Sequence, residues 1–219
     1  MPNDTANTAN AKIDPAVLAR AAARDADVQG KPRRIEPLAE DAFTEEMQVI
    51  NTDMKKAAGI PPNGYMPEFF AIMLRHPKLF RAHSDLAMVL MGAPLLPVRD
   101  RELAVLRIGW LAQAPYEWNA HVDMARRMTN ITTEEIERTI IGSSAPGWSE
   151  HDAAILRAVE EMIADAMITD ATWAILTKTF DDAQMLEFPI LVGQYLGVAF
   201  LQNSIRARLM PGHVGLSAR

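Results

Sequence analysis

The chain lacks cysteine altogether, and this absence excludes several kinds of chemistry. None of its 219 residues is a cysteine. The sequence can therefore form no disulfide, no thiolate metal site and no cysteine nucleophile. Reduction of peroxides by a pair of thiols is excluded for the same reason.

An excess of basic residues is also missing. The 22 Lys and Arg residues are outnumbered by 28 Asp and Glu residues, which gives a formal net charge of −6. Proteins that bind nucleic acids or anionic membrane surfaces usually carry excess positive charge. Phosphate-binding glycine loops and the nucleophile elbow of serine hydrolases are absent from the sequence as well. We therefore expect a small-molecule substrate, with no nucleic acid and no membrane as partner.

The first residues show no targeting signal, and only one stretch has the length of a membrane span. Residues 1–10 have neither a basic flank nor an apolar run, so we expect a cytoplasmic protein. The uncharged stretch covers residues 188–205, but it contains Pro189, Gln194 and Gln202, which are costly in hydrocarbon. The sequence favours a helix buried in the protein or at a subunit interface over a membrane span.

Patterns typical of β-strands are scarce, whereas apolar residues recur at helical spacing along most of the chain. Residues suited to begin a helix occur at several points, such as Asp14 before Pro15, Thr132 with Glu135, and Ser149. With 49% hydrophobic residues, the chain can bury a sizeable core. These features predict an all-α protein.

The order of helices and loops suggests three parts. We expect an N-terminal extension over residues 1–35, partly flexible, a helical domain over residues 36–210, and a C-terminal tail over residues 211–219. Inside the domain, one helix is predicted from Asp41 to Ala58, with Gly59 as its stop. A long helix is predicted from Val98 onwards, interrupted or kinked at Pro115, which cannot donate a backbone hydrogen bond.

The clearest candidate for chemistry is the pair Glu117 and His121. Residues four apart on a helix share a face, and a carboxylate beside an imidazole fixes its tautomer and raises its basicity. Such a pair suits general acid–base catalysis, although a surface ion pair would have the same spacing. Tyr116 and Trp118 flank Glu117, and large rings are seldom exposed to open solvent, so we include both as candidate substrate-binding residues.

Three further residues are candidates for the same site. Glu102 either pairs at the surface with a neighbouring arginine or turns inward as a second carboxylate near His121. Arg107 either reaches a carboxylate, such as that of a substrate, or extends to water. Tyr195, in the uncharged last helix, is a candidate hydrogen-bond donor, with core packing as the alternative. No other histidine repeats the spacing of Glu117 and His121, so we expect no metal.

The stretch over residues 99–141 resembles the carboxymuconolactone decarboxylase family, which shares its fold with alkylhydroperoxidase D. In the peroxidase branch the motif is a glutamate, then two cysteines separated by two residues, then a histidine. Glu102 matches the glutamate, Ala114 and Glu117 occupy the cysteine positions, and His121 matches the histidine. Both thiols are thus missing, and the chain resembles the decarboxylase branch better, because that branch also carries a glutamate four residues before the histidine at this place.

The resemblance covers about residues 65–210 and carries several expectations. It implies an all-α, alkylhydroperoxidase D-like fold that assembles into homo-oligomers, either trimers, hexamers or dimers, with the site near a subunit boundary. It also implies a cofactor-free lyase that removes CO₂ from a carboxylated lactone or an aromatic-derived acid. His121 would then transfer the proton, Glu117 would orient it, and Glu102 would tune the pair. Two alternatives remain open: another lyase or isomerase of aromatic catabolites, and a non-catalytic oligomeric binding protein.

Overall fold

The computed structural model describes residues 13–57 and 60–219, and these residues contain helices and turns but no strand. The all-α prediction is thus confirmed. The α-helices are α1 (Pro15–Gln29), α2 (Glu45–Ala57), α3 (Glu68–Met73), α4 (Pro77–Ala87), α5 (Val98–Leu111), α6 (Pro115–Met128), α7 (Thr133–Ile141), α8 (Glu150–Asp165), α9 (Asp170–Leu176) and α10 (Asp182–Ile205). Residues 1–12, the first part of the extension predicted over residues 1–35, lie outside the described residues.

The predicted helix starts are confirmed by hydrogen bonds to the first turns. The Asp14 side chain accepts a bond from the backbone of α1, and the Ser149 side chain caps α8. Thr132 and Glu135 form a reciprocal capping box at the start of α7. The helix predicted from Asp41 begins later, as α2, after a short 3-10 turn. Its predicted end at Ala58 and Gly59 lies outside the described residues.

The stretch expected to be one interrupted or kinked helix is two separate helices, α5 and α6. Helix α5 ends at Leu111, the backbone turns at Gln113 with a φ of 48°, and α6 begins at Pro115. The two helices then pack side by side. A Cβ atom on Gly109 would lie only 3.2 Å from the backbone nitrogen of Trp118, so the contact needs glycine. The break therefore produces a tight helical hairpin.

This hairpin lies at the centre of the larger of two hydrophobic clusters. Leu103, Leu106 and Trp118 are fully buried there, together with apolar side chains of α8 and α10. The smaller cluster contains Phe69 and Phe80 and lies where α3 and α4 meet the second half of α10. The hairpin is consequently enclosed by neighbouring helices, and polar side chains that point inward from it are removed from water.

Residues 211–219 also contact the hairpin. They contain a 3-10 turn, Gly215–Ser217, which packs against α1 and α6. Leu216 is buried, and its backbone nitrogen donates to the carboxylate of Asp25 on α1. The backbone oxygen of Ala218 accepts a hydrogen bond from Nε1 of Trp118. This segment thus contacts both α1 and α6.

Helix α10 has one buried face and one uncovered face. Its length and composition would suffice to cross a membrane, and 33% of its most apolar window is buried. The buried face packs against α5, α6 and α8. The opposite face is apolar and exposed. Only the buried face takes part in the candidate site.

Candidate active site

A histidine lies between two carboxylates inside the helical hairpin. Nδ1 of His121 is 2.8 Å from Oε2 of Glu102, and Nε2 of His121 is 3.3 Å from Oε1 of Glu117. Glu102 lies on α5, whereas Glu117 and His121 lie one turn apart on α6. All three side chains are buried, and Glu102 is completely inaccessible. The hairpin therefore encloses a group of ionisable side chains that would otherwise be hydrated.

Arg101 neutralises the innermost carboxylate. Its Nε and Nη2 atoms donate to Oε1 of Glu102 at 3.0 and 2.8 Å, and its Nη1 donates to the backbone oxygen of Met91. Oε1 of Glu102 is thus held by Arg101, and Oε2 is held by His121. A carboxylate with both oxygens bonded in a buried place has a fixed orientation. Glu102 can accordingly hold the imidazole ring of His121 in one position.

The surroundings favour the charged forms of both Glu102 and His121. Burial raises the pKa of Glu102, but His121 and Arg101 outweigh burial and hold this pKa below its usual value. Burial lowers the pKa of His121, but Glu102 and Glu117 outweigh burial and raise this pKa to about 9. At neutral pH, His121 is protonated and can donate a proton.

The charges of the cluster balance when His121 is protonated. Arg101 and His121 then carry two positive charges, and Glu102 and Glu117 carry two negative charges. Burial of unpaired charge is strongly unfavourable, so a balanced set is the arrangement that a low-dielectric interior tolerates. Loss of the His121 proton would leave one net negative charge inside the hairpin.

Helix α10 supplies two more groups on the other side of α6. Nε2 of Gln202 donates to Oε2 of Glu117 at 2.7 Å, and both side chains are buried. The ring of Tyr195 meets the ring of His121 edge to face, with 5.0 Å between centroids. Burial raises the pKa of Tyr195, and the nearby carboxylates raise it further, so its hydroxyl keeps its proton. The structure thus brings Tyr195 to the predicted catalytic residues.

A second histidine, His83 on α4, lies at the more exposed side of this cluster. Its Nδ1 accepts a hydrogen bond of 2.8 Å from Nε2 of Gln194, the residue before Tyr195. Burial lowers the pKa of His83, and the charge of Glu117 only partly opposes this change. His83 is therefore neutral at neutral pH, while His121 is charged. The side chain of His83 is half-buried, unlike that of His121.

The structure leaves two predicted site residues outside the cluster. Trp118 is fully buried in the larger core cluster, and its ring packs against Trp110. Arg107 reaches Glu160 through Nη2 at 2.8 Å, while its Nη1 donates to the backbone oxygens of Thr139 and Ile140. The carboxylate that Arg107 reaches is thus one of the chain's own. Successive helix residues point 100° apart, which is why Trp118 faces away from its neighbour Glu117.

Tyr116 borders the site from the smaller hydrophobic cluster. Its ring is buried and lies 5.9 Å from the ring of Phe69. Burial and the charge of Glu117 raise the pKa of Tyr116, so its hydroxyl is also protonated.

Within residues 13–57 and 60–219, no group of three or more His, Asp or Glu side chains has the arrangement of a metal site.

Sequence reasoning missed two residues of this group, Gln202 and His83. Gln202 contacts Glu117 across 85 positions of the chain, and no local spacing signals such a contact. The one available signal was a polar amide within the otherwise apolar stretch of α10. An amide at a buried helix position needs a partner, and Glu117 is that partner.

Comparison with known proteins agrees with this architecture. Residues 77–161 match the carboxymuconolactone decarboxylase family, and no curated protein matches the chain. A peroxidase-related protein from Silicibacter sp. TM1040 is 15% identical, with a TM-score of 0.67 over 84% of this chain and 96% of that one. An AhpD-type protein of unknown function from Agrobacterium tumefaciens is 19% identical, with a TM-score of 0.57 over 62% of this chain and 93% of that one.

A third solved structure is that of an enzyme. The debrominase Bmp8, in complex with 2,3,4-tribromopyrrole, is 12% identical, with a TM-score of 0.65 over 82% of this chain and 93% of that one. At such low identities, these structures show a shared fold only. Residues 77–161, which include the helical hairpin, thus match the carboxymuconolactone decarboxylase family, and the fold is alkylhydroperoxidase D-like.

Proposed function

We propose that this protein is a cofactor-free lyase that removes CO₂ from a carboxylated lactone or an aromatic-derived acid. The observation that carries the proposal is the protonated imidazole of His121, held between Glu102 and Glu117 in a buried place. Decarboxylation leaves an electron pair on carbon, and a positioned acid must then protonate that carbon. His121 has the charge and the fixed orientation for this role.

The two ring nitrogens of His121 have different tasks in the proposal. The Nδ1 proton is held by Glu102 at 2.8 Å, so it fixes the ring. The Nε2 proton faces Glu117 at 3.3 Å, and this longer contact is the weaker of the two. Nε2 is therefore the atom that would transfer a proton to substrate. Glu102 and Arg101 act as positioning residues, because they hold the ring without contacting the substrate.

The proposed step balances as follows. The bond between the substrate carbon and its carboxylate breaks, CO₂ leaves, and the electron pair is delocalised into the conjugated ring. The Nε2–H bond of His121 breaks as a C–H bond forms at the substrate carbon. His121 is left neutral, and one proton from solvent restores the imidazolium. No oxidant or reductant is consumed, and Glu117 would stabilise the returning charge on His121.

The half-buried pair of His83 and Gln194 marks the route by which we propose that substrate and solvent protons reach the site. These side chains join α4 to α10 at the more exposed side of Glu117. Because Nδ1 of His83 accepts from Gln194, the proton of the neutral ring lies on Nε2, and this Nε2–H could donate to a water or substrate that enters the site. The rings of Tyr116 and Tyr195 would border a planar substrate, and the tribromopyrrole in the related debrominase fold supports a planar ring as ligand.

The same burial favours one other function, a non-catalytic ligand-binding protein in which the cluster serves the fold alone. Glu102 and His121 are enclosed as tightly as core residues, and buried ion pairs also occur for structural reasons. The protein would then release no CO₂ from any substrate, and removing His121 would only weaken the fold. For either function, we expect a small-molecule ligand, a homo-oligomer and a cytoplasmic location.

The test is a screen of carboxylated lactones and aromatic acids for CO₂ release, with the products analysed by mass spectrometry. In D₂O, the product should gain one deuterium at the carbon that lost CO₂. His121→Gln should lower kcat by 100-fold or more, the usual contribution of a general acid. His151→Gln is the matched control, because His151 pairs with Asp100 outside the site at the same 2.8 Å. Full turnover by a folded His121→Gln variant would refute the proposed role.

A further inference from the structure

The exposed residues of α10 are regularly spaced, and no other described residue covers them. Every exposed residue between positions 186 and 204 of this helix falls at alternating intervals of four and three. The residues of this stripe are Leu186, Ile190, Gly193, Gly197, Phe200 and Ser204. Their spacing averages 3.6 residues, the period of an α-helix, so all six lie along one side of α10. We call these six residues the α10 stripe.

The three large residues of the α10 stripe are unusually exposed. Leu186 is 73% exposed, Ile190 is 54% exposed and Phe200 is 58% exposed. Soluble monomers rarely expose several large apolar side chains along one face of a helix. The row extends over about 27 Å at the usual rise of an α-helix. Residues 188–205 include no charged residue that could hydrate this face.

The two glycines provide an independent observation. A Cβ atom placed on Gly193 or Gly197 would meet nothing within 4 Å, so no contact within the described chain requires glycine there. Glycine weakens a helix relative to alanine, and both positions lie in the middle of a 24-residue helix. Their value lies in letting another backbone approach closely. The approaching backbone must come from outside the described chain.

We propose that the α10 stripe pairs with the same stripe of a second copy of this chain, with the two helices antiparallel about a two-fold axis near Tyr195. In this register Gly193 faces the partner's Gly197, and Ile190 faces the partner's Phe200. Small residues thus meet at the centre, where the backbones are closest, and large residues meet on both sides. The sizes are self-complementary, as a two-fold interface requires. Antiparallel helices also align their dipoles favourably.

The register can be tested by exchanging charges across the interface. Ile190→Lys and Phe200→Glu should each halve the mass measured by light scattering, because each buries an unpaired charge in the contact. The double variant should restore the mass, since the introduced lysine of one copy faces the introduced glutamate of the other. Within one chain these positions are about 15 Å apart along the helix, too far to pair. Met167→Glu, at an exposed position outside α10, should leave the mass unchanged.

The absence of native cysteine permits a second measurement of the same register. Gly193→Cys and Gly197→Cys can be prepared as two separate chains, each with a single thiol. In the proposed register, the Cα atoms of the two positions should lie within the distance of roughly 4.4–6.8 Å that a disulfide requires. The two chains are mixed and oxidised. The mixture should therefore cross-link faster than either chain alone. Because a Cβ at these positions meets nothing within 4 Å among the described residues, each variant should fold.

The native chain should have a mass that is an even multiple of 24.2 kDa at micromolar concentration. A single-chain mass at that concentration would overturn the proposal, as would single charge variants that keep the native mass. Cross-linking that is fastest for each variant alone would also overturn it. Flotation with vesicles of phosphatidylethanolamine and phosphatidylglycerol distinguishes a membrane-bound helix. If the native chain floats and Phe200→Glu does not, the α10 stripe binds lipid and the proposal is wrong.

Discussion

Oε2 of Glu102 lies 2.8 Å from Nδ1 of His121, although nineteen positions and a change of helix separate the two residues. The contact exists because α5 and α6 fold back on each other after Leu111. It transforms a helical Glu117–His121 pair into a histidine between two carboxylates. The charge of His121, and therefore its use as an acid, depends on this contact.

Glu102→Gln should destabilise the protein strongly and lower the pKa of His121. The substitution leaves the buried Arg101 without its charged partner, and loss of one member of a buried pair costs about 3–5 kcal/mol. Urea denaturation measures the first effect, and NMR titration of the imidazole measures the second. Glu150→Gln is the control, because Glu150 pairs with Lys178 at the surface, where such pairs contribute at most about 1 kcal/mol. Equal losses for the two variants would contradict a special role for Glu102.

The free energy of unfolding should fall as pH rises from about 6.5 to about 9. The pKa of His121 is about 9 in the folded protein and near 6.5 in the unfolded chain. Stability from this group is complete below pH 6.5 and is lost through the folded-state pKa, and the whole change is roughly 3 kcal/mol. Denaturation at several pH values tests this slope. For His121→Gln, the free energy of unfolding should change less over this pH interval. If its slope equals that of the native protein, groups other than His121 cause the pH dependence.

Gln202→Leu should cost more stability than Gln194→Leu. Gln202 donates to the buried carboxylate of Glu117, and a hydrogen bond to a charged group contributes about 1.5–3 kcal/mol. Gln194 donates to the neutral His83, so its bond should contribute only about 0.5–1.5 kcal/mol. Thermal and urea denaturation of the two variants provide the comparison. If Gln194→Leu is the more damaging change, the charge on Glu117 is not what Gln202 stabilises.

Gly109→Ala should destabilise the hairpin and disturb the site. The added methyl group would lie 3.2 Å from the backbone nitrogen of Trp118, and backbone cannot move aside as a side chain can. Overpacking of this kind costs about 1–3 kcal/mol. Gly92→Ala is the control, because its methyl group would meet only the flexible end of Met88. Gly109→Ala should also lower the pKa of His121 as α5 and α6 separate, and NMR titration would show whether it does.

The sequence predicted the fold class and one half of the site. Helical geometry places residues four apart on one face, and Glu117 and His121 of α6 are indeed in contact. The sequence left open whether Glu102 points inward, because this orientation depends on α5 and α6 folding back on each other. Pro115 signals a break but does not specify the angle between the helices. The interpretation of this stretch as one interrupted or kinked helix was therefore wrong.

Residues that depend on distant contacts were beyond the reach of the sequence. Gln202 meets Glu117 only because α10 packs across α6, and Arg107 faces Glu160 because α8 lies beside α5. Hydrophobic periodicity shows which face of a helix is buried, but it does not show which neighbour covers that face. Trp118 illustrates this limit. Its burial was foreseen, but the hydrogen bond from its Nε1 to the backbone oxygen of Ala218 was not.

That last contact has a consequence for the order of folding. The indole of Trp118 binds a backbone oxygen 100 positions later, and Asn119 likewise accepts a hydrogen bond from the backbone of Val214. During synthesis, α6 leaves the ribosome long before these residues exist. Contacts so far apart in sequence slow folding, because a long loop must close before they form. The helix that carries Glu117 and His121 therefore acquires these contacts only after residues 214–218 have been translated.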